Sequence, residues 1–210
     1  ATAKATADKM TAATNLIKSL EGERIRWTSD AKRFADRKMK LVGDCALSCA
    51  FVSYSGPFNH EFRKKLQQEY ILSDCIKRDI PVTLDLNPST FLVDDATVAE
   101  WNSQGLPKDD LSIQNGILVT QATRWPLLID PQAQACNWLK RREAKNFPVW
   151  GTTTLNHPRL RDQLEFAMSE GKPLLVEGVQ EELDPMLDPV LEKNTVKKGN
   201  NDIWKNSDKN

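Results

Sequence analysis

The sequence predicts an α/β chain in which a long N-terminal coiled-coil helix and a helical linker precede a partial P-loop-type parallel sheet flanked by helices. Three observations lead to this prediction. Residues 1–41 contain no proline and carry a heptad pattern of apolar residues. Residues 42–90 continue with helical spacing. In the second half, short apolar runs alternate with helical patterns, which is typical of parallel strands joined by crossover helices.

The heptad pattern of residues 1–41 indicates one helix of a coiled coil. Steps of alternately three and four residues follow an apolar seam for about four heptads, and Arg24 and Lys38 interrupt it. An amphipathic helix packed on its own domain would show a similar stripe, so both interpretations stay open. As a coiled coil, the helix needs a partner from outside this chain, because no second segment repeats the pattern. The seam residues are Met10, Ala13, Ile17, Leu20, Trp27 and Phe34.

The linker is predicted to be mainly helical. Residues 41–54 are apolar on nearly all sides, which predicts a buried helix with Cys45 and Cys49 as packing residues. Asn59 is expected to cap a second helix over residues 61–78. Typical cap residues precede the short helices predicted up to residue 101, namely Ser89, Asp94 and Asp95.

Four apolar runs in the second half are predicted to be strands. The run at 125–129 is short and continuous, as in a buried strand. A helix capped by Asn156 is predicted over residues 158–170, and short aspartate-capped turns over 181–191. This order of elements predicts a parallel sheet with right-handed crossovers. The predicted strands cover residues 113–120, 125–129, 152–155 and 174–176.

The junction after residue 129 has the strand–loop–helix layout of a phosphate-binding P-loop, G-x-x-x-x-G-K-[ST]. On this template Asp130 and Ala135 stand at the glycine positions, Cys136 at the lysine and Asn137 at the Ser/Thr. These replacements remove the lysine that neutralises phosphate and the hydroxyl that holds magnesium, and Asp130 adds negative charge. We therefore expect a degenerate nucleotide-binding loop, comprising Asp130, Pro131, Gln132, Ala133, Gln134, Ala135, Cys136 and Asn137.

An acidic residue follows the predicted strand at 174–176. An apolar strand that ends in a carboxylate, placed after a P-loop helix, has the layout of a Walker B segment, so Glu177 is the Walker B-like residue. Gly178 stands where active enzymes carry the residue that polarises the attacking water. Many parallel strands end in a polar residue, and a purely structural Glu177 is the alternative. No catalytic residue is predicted.

Charge and composition argue against several classes of function. Lys+Arg and Asp+Glu each number 29, so the formal net charge is zero and neither a nucleic-acid nor a membrane partner is expected. No apolar run reaches the roughly 18–20 residues that cross a bilayer. The four cysteines and two histidines lack metal-ligand spacing, so no metal site is expected and a reduced intracellular compartment is predicted. The polar C-terminal segment suggests an excised piece of a longer chain.

Several long strings closely resemble the dynein heavy chain family. The resemblance runs from about residue 10 to residue 194, and it corresponds to the end of the stalk and the start of the fifth AAA+ module of the motor ring. Glu23-Arg-Ile-Arg-Trp27 resembles axonemal more than cytoplasmic dyneins. The other strings are Leu41-Val-Gly-Asp, Phe51-Val-Ser-Tyr-Ser-Gly-Pro-Phe-Asn59, Glu100-Trp-Asn-Ser-Gln-Gly-Leu-Pro-Lys-Asp-Asp-Leu-Ser-Ile-Gln-Asn-Gly116, Pro126-Leu-Leu-Ile-Asp-Pro-Gln132, Pro173-Leu-Leu-Val-Glu and Glu181-Glu-Leu-Asp-Pro-Met-Leu-Asp-Pro189.

The resemblance implies that the microtubule-binding tip precedes residue 1 and that the sensor strands, arginine-finger region and lid follow residue 210. Arg124, Arg159 and Arg161 are therefore not assigned as arginine fingers. The family's fifth module does not serve as a principal hydrolysis site, which agrees with Cys136 and Gly178. The implied segments are a stalk coiled-coil base at 1–41, a helical linker at 42–90, a partial AAA+ large subdomain at 91–194 and a truncated polar tail at 195–210.

The predicted function is a non-hydrolysing mechanical module that links the AAA+ ring to the stalk in ATP-driven, minus-end-directed movement on microtubules. No cofactor is expected in this segment, because ATP and magnesium belong to neighbouring modules. The resemblance implies as partners the outgoing stalk helix and adjacent AAA+ modules of the same heavy chain, the microtubule through the stalk, and dynein complex subunits, in the cytoplasmic cytoskeleton of a ciliary axoneme. Alternatives are a module with weak ATP binding of its own and a plain coiled-coil adaptor, which the strand pattern disfavours.

Overall fold

The computed structural model describes residues 2–147, 151–198 and 201–204. The chain divides into two compact units, Ala1–Phe91 and Leu92–Asn210. The first unit is built from helices, and the second combines helices with short strands, two of which form a parallel pair. The predicted α/β class, with a long N-terminal helix and a partial parallel sheet, is confirmed. Among the described residues, no helix combines the length and the apolar character needed to cross a membrane.

A single helix, α1 (Thr2–Tyr54), opens the first unit. It passes the predicted boundary between residues 41 and 42 without a break. Ion pairs three or four residues apart lie along its exposed surface, and each stabilises a helix by about 0.2–0.5 kcal/mol. These pairs are Glu21–Arg24, Glu23–Arg26, Asp30–Arg33 and Asp36–Lys40.

The prediction that residues 41–54 are buried on all sides is wrong. Cys45 and Cys49, expected to pack in the interior, are both exposed. Only one face of this segment is covered, and at Gly43 the loop at residues 81–83 comes so close that an added Cβ would lie 2.2 Å from the carbonyl oxygen of Pro81. The apolar composition of residues 41–54 therefore does not predict which of their side chains are buried. The buried residues on the covered face are Gly43, Asp44, Leu47, Ser48 and Phe51.

The second helical stretch starts where the sequence predicts. α2 (His60–Lys65), a π-helix (Leu66–Leu72) and α3 (Ser73–Lys77) run on without interruption. The side-chain oxygen of Asn59 accepts a hydrogen bond from the N–H of Phe62 at 3.0 Å, which confirms the predicted cap. The wider turns of the π-helix were not predicted, because apolar spacing alone does not distinguish them from α-helical turns.

Three short helices follow, each preceded by a polar cap. Asp94 and Asp109 accept from the backbone N–H groups three residues ahead at 3.0 and 2.8 Å. Ser89 is not a cap as predicted, since Asn87 takes that role by accepting from the Ser89 N–H at 2.9 Å. The helices are α4 (Pro88–Leu92), α5 (Asp95–Ser103) and α6 (Asp110–Gln121).

The strand predicted at residues 113–120 is wrong, because this run lies inside α6. A short apolar run fits a buried strand and a buried helical turn equally well, and here the Asp109 cap starts a helix. Within that helix Gly116 faces the indole of Trp101, where an added Cβ would lie 3.0 Å from the ring. Gly116 therefore allows α5 and α6 to pack closely.

The core of the second unit includes a pair of tryptophans in contact. Trp138 on α7 (Gln134–Arg142) is 1% exposed and meets Trp101 edge to face, with ring centroids 5.6 Å apart. On the same helix Arg141 donates to the backbone oxygen of Gln104 at 3.2 Å. These contacts fix α7, and with it the loop that precedes it, against α5.

The parallel pair lies farther along the chain. β1 (Thr152–Thr154) pairs with β2 (Leu175–Glu177), with Thr154 opposite Glu177. α8 (Leu160–Glu170) connects the two strands and ends, as predicted, at Gly171 in the left-handed conformation. Asn156 does not cap it, contrary to the prediction. The turn before α8 instead uses the ring of His157, whose Nδ1 accepts from the N–H of Arg159 at 3.2 Å.

The strand predicted at residues 125–129 is wrong in both respects, since the segment is neither buried nor part of a sheet in the described chain. Leu127 and Ile129 are exposed to 73% and 92%. An apolar strand is buried only where neighbours cover it, and no described strand pairs with this segment. One end is held, because the indole N–H of Trp125 donates to the Val190 oxygen at 2.9 Å and the Lys193 ammonium lies over the same ring.

The end of the described chain contains a hairpin. A 3₁₀ helix (Pro185–Leu187), capped by Asp184 as predicted, leads into α9 (Asp188–Leu191). β3 (Thr195–Lys198) then pairs antiparallel with β4 (Asn201–Trp204). The polar-tail prediction for residues 195–210 did not include this hairpin, and residues 199–200 and 205–210 lie outside the described part of that segment.

Candidate functional site

The loop after residue 129 turns sharply before α7 begins. The N–H of Ala133 donates to the backbone oxygen of Asp130 at 3.1 Å, and Ala133 itself lies in the left-handed region with φ of 55°. Few residues other than glycine adopt this conformation. The turn therefore resembles the bend of a P-loop, but the left-handed residue is at 133 and not at either predicted glycine position.

The carboxylate of Asp130 reaches back over the first turn of α7. One oxygen accepts from the N–H of Gln134 at 3.0 Å, and the other accepts from the N–H of Cys136 at 2.9 Å. Amides at a helix N-terminus are the groups that bind phosphate in a P-loop, and the helix dipole favours an anion there. In this chain the anion at the helix N-terminus is a side chain of the loop itself.

Glu177, the last residue of β2, contacts two side chains of α7. Its Oε1 accepts from the Sγ of Cys136 at 3.1 Å and from the Nζ of Lys140 at 2.6 Å. The side chains of Lys140 and Glu177 are each 40% exposed, so solvent screens their ion pair. The structure thus places Cys136, which stands at the lysine position of the P-loop template, in contact with Glu177, the predicted Walker B-like residue.

These contacts change the ionisation of all three groups. Hydrogen bonds from Lys140, and then from Cys136, lower the pKa of Glu177. The hydrogen bond to Glu177 raises the pKa of Lys140. Burial, followed by the hydrogen bond to Glu177, raises the pKa of the Cys136 thiol. Since the thiolate is the nucleophilic form of cysteine, this cysteine is held in its unreactive form.

The remaining loop residues predicted for the site do not converge on Glu177. Pro131, Gln132 and Asn137 are exposed, and the N–H of Asn137 is used within α7 as a donor to the Ala133 oxygen. Gly178 follows β2 with φ of 68°, a conformation that suits glycine.

As arranged, the residues around the loop do not fit a magnesium–phosphate group. The Asp130 carboxylate occupies two amides that phosphate would need, and it would repel a phosphate oxygen. The Glu177 carboxylate, which would face the magnesium ion through water, is paired with an ammonium. Within the described residues, no three His, Cys, Asp or Glu side chains lie close enough together to hold a metal ion.

Sequence reasoning missed Lys140. The P-loop template places its lysine at position 136, whereas the lysine of this chain lies about one helical turn farther along α7, at position 140. Residues four apart on a helix share a face, so the spacing of Cys136 and Lys140 was the available indication. The contact of Lys140 with Glu177, 37 positions away, could not be predicted from the sequence.

The predicted seam of α1 forms a second candidate surface, in the first unit. Its large side chains are exposed, from 56% for Leu20 to 68% for Met10, and Ala13 is exposed as well. Exposed apolar side chains that recur along one face of a helix suit an interaction site. The seam residues that lie between these values are Ile17, Trp27 and Phe34.

The fold and the loop define a P-loop-type α/β module preceded by a helix with an exposed heptad seam. Comparison with known families extends this definition. The family described as the microtubule-binding stalk of dynein motor matches residues 1–73, and the family described as the ATP-binding dynein motor region matches residues 99–210. The chain belongs to the dynein heavy chain family.

Individual relatives agree with this assignment. The chain is 54% identical over 184 residues to the gamma chain of the flagellar outer-arm dynein of Chlamydomonas reinhardtii, which covers 88% of this chain. It is 52% identical over 191 residues, 91% of the chain, to axonemal dynein heavy chain 5 of Mus musculus and to axonemal dynein heavy chain 8 of Homo sapiens. The chain spans 4% of the length of each of these relatives.

Proposed function

We propose that this chain is a non-hydrolysing structural module of a dynein motor. In this proposal it forms the base of the returning stalk helix and the first part of the fifth AAA+ module, and it links the ring to the stalk. The observation that carries the proposal is the charge arrangement at the loop. Asp130 lies on the amides that would bind phosphate, and Lys140 lies on the Walker B-like carboxylate. ATP and magnesium act in neighbouring modules of the motor.

The mechanical part of the proposal concerns α1. The helix is continuous from the exposed seam to the covered face at residues 43–51. A displacement of the covered end of α1 therefore moves the seam with it as one rigid helix. The partner of the seam is the outgoing stalk helix of the same heavy chain. Arg24 and Lys38 interrupt the seam, and such interruptions allow two packings of similar free energy. A shift between them changes microtubule affinity at the distant tip.

The partners and location follow from the family. We infer contacts with adjacent AAA+ modules of the same heavy chain, an indirect contact with the microtubule through the stalk, and assembly with other dynein subunits. The relatives are named as axonemal or flagellar outer-arm chains, which supports a cytoskeletal location in an axoneme and ATP-driven, minus-end-directed movement of the parent motor.

Nucleotide titration tests the non-hydrolysing role. The 210-residue chain is titrated with a fluorescent ATP analogue and magnesium, beside a Glu177→Gln variant. We expect no saturable binding below about 1 mM in either protein. Saturable binding that Glu177→Gln weakens would favour the second candidate, a module with weak ATP binding of its own, which the position of Glu177 beside the loop also supports.

Crosslinking in the complete heavy chain tests the mechanical role. A cysteine at position 27 is joined by a disulfide to a cysteine on the outgoing stalk helix, and microtubule affinity is measured with and without ATP. We expect the crosslink to abolish the dependence of microtubule affinity on nucleotide, with recovery on reduction. Unchanged coupling in the crosslinked motor would contradict the proposed movement of α1. A cysteine pair elsewhere on the ring surface serves as the control.

A further inference from the structure

The contacts of Asp130 differ from those of the ordinary helix caps in this chain. Asp94 and Asp109 each accept from one backbone N–H, three residues ahead, and the second oxygen of Asp109 accepts from the Ser112 hydroxyl at 2.6 Å. Asp130 accepts from two, and it uses a separate oxygen for each, on residues four and six positions ahead. A left-handed residue, Ala133, lies between the carboxylate and the helix and folds the loop over it. This is the geometry of an anion held in a nest of amides and not of a simple cap.

The second charge at the loop is a cation. The ammonium of Lys140 lies 2.6 Å from the carboxylate that the Walker B layout would direct towards a divalent ion. Lys140 and Asp130 are both anchored by α7, which the buried Trp138 fixes in place. An anion therefore lies where phosphate is bound and a cation lies beside Glu177.

We propose that the loop is filled from within, with the Asp130 carboxylate in the place of a phosphate and the Lys140 ammonium in the place of the divalent cation. This inference rests on the proposed function and adds a physical cause to it. The loop keeps a charge distribution close to that of an occupied site, because each charged position is taken by a side chain of the same chain. Removing Asp130 exposes the two amides and opens a site for a phosphate-class anion.

Phosphate binding to variants of the 210-residue chain tests the anion half. Asp130→Gly removes the carboxylate and introduces the glycine of the P-loop template, and Asp130→Asn keeps the size of the side chain in case the glycine variant does not fold. Binding of inorganic phosphate is measured at constant ionic strength against chloride. We expect at least about a tenfold tighter phosphate binding in Asp130→Gly than in the unchanged chain, and a smaller gain in Asp130→Asn, whose side-chain oxygen can still accept from one of the two N–H groups.

The matched control is Asp109→Asn. It removes a carboxylate from the N-terminus of α6, where the side chain accepts from one backbone N–H. We expect no gain in phosphate binding there. Equal phosphate binding by Asp109→Asn and the Asp130 variants, or none in a folded Asp130 variant, would overturn the anion half. Neither result would make the unchanged chain bind nucleotide, so the proposed function would be unaffected.

Magnesium dependence tests the cation half. In Asp130→Gly, phosphate binding is expected to be independent of magnesium, since Lys140 still covers Glu177. In the Asp130→Gly/Lys140→Met double variant the Glu177 carboxylate is no longer paired with an ammonium and keeps only its hydrogen bond from the Cys136 thiol, and phosphate binding is expected to increase when magnesium is added. The control is Lys145→Met, an exposed lysine just beyond α7. A double variant that is indifferent to magnesium would show that Lys140 does not take the place of the cation.

Discussion

Asp44 and Thr83 are joined by two hydrogen bonds that tie the loop after α3 to α1. One carboxylate oxygen of Asp44 accepts from the backbone N–H of Thr83 at 2.7 Å, and the other accepts from its hydroxyl at 2.9 Å. The Asp44 side chain is buried and the two residues are 39 positions apart. This contact, together with the close approach at Gly43, defines where the long helix is held by its own unit.

Replacement of Asp44 should destabilise the first unit. Asp44→Ala removes two hydrogen bonds to a charged group and leaves the Thr83 N–H without this acceptor, so we expect a loss of about 2–4 kcal/mol in the free energy of unfolding. Chemical denaturation measures the change. Asp85→Ala removes an exposed carboxylate from the same loop and should change stability by less than about 0.5 kcal/mol. A similar small change for Asp44→Ala would mean that the loop is not held by this contact.

Two glycines of α1 should respond in opposite directions to the same substitution. At Gly22 nothing lies within 4 Å of an added Cβ, so Gly22→Ala should stabilise the helix by about 0.5–1 kcal/mol. At Gly43 the added Cβ would lie 2.2 Å from the Pro81 oxygen, so Gly43→Ala should destabilise by about 1–3 kcal/mol. Thermal unfolding of both variants checks the signs. Stabilisation by both would show that the loop does not press on α1.

The contact between Trp101 and Trp138 should be measurable as a coupling energy. Each tryptophan is buried, so Trp101→Ala and Trp138→Ala should each cost about 3–5 kcal/mol. Because the rings pack edge to face, a double-mutant cycle should give a coupling of about 0.5–1.5 kcal/mol. Using leucine in place of alanine at both positions keeps the variants folded if alanine does not. Strict additivity would place the two rings out of contact.

The pair formed by Lys140 and Glu177 should make stability depend on pH. The folded pKa of Glu177 is lowered, so its contribution is present above the ordinary glutamate pKa of about 4.3 and is lost as pH falls through the lower folded value. The difference in unfolding free energy between the unchanged chain and Glu177→Gln should therefore shrink below about pH 4. Urea denaturation at several pH values gives this difference. In a Lys140→Met background the same comparison should lose most of its pH dependence, and an unchanged pH dependence there would assign it to other groups.

Local features of this chain were predictable from the sequence, and long-range ones were not. Asn59 and Asp94 act through amides three residues away, so their capping follows from neighbouring residue types. The strand prediction at 113–120 failed because its apolar residues satisfy two periodicities, and the cap at Asp109 that decides between them was not predicted. Prediction of burial at 125–129 assumed neighbours that the described chain does not supply.

At the candidate site, too, the positions of residues in the sequence motifs were predictable, and their contacts across the fold were not. The P-loop and Walker B layouts assigned template positions to Cys136 and Glu177, but the hydrogen bond from the Cys136 thiol to Glu177 was not predicted. Nor did the sequence predict the ion pair of Lys140 with Glu177, or the hydrogen bonds to both oxygens of Asp130. Both depend on side-chain direction across a tertiary contact, and residue order does not determine that direction.

The contacts of Gly43 and Asp44 with the loop after α3 hold α1 near one end and leave a long stretch of helix before them. About 40 residues of helix lie between this point and the start of α1, which corresponds to about 60 Å at the α-helical rise. A tilt of only about 5° of α1 at Gly43 and Asp44 would then displace the far end of the helix by about 5 Å, roughly the pitch of one helical turn. Small adjustments of side-chain packing around Thr83 therefore produce a much larger sideways displacement at the far end of the helix.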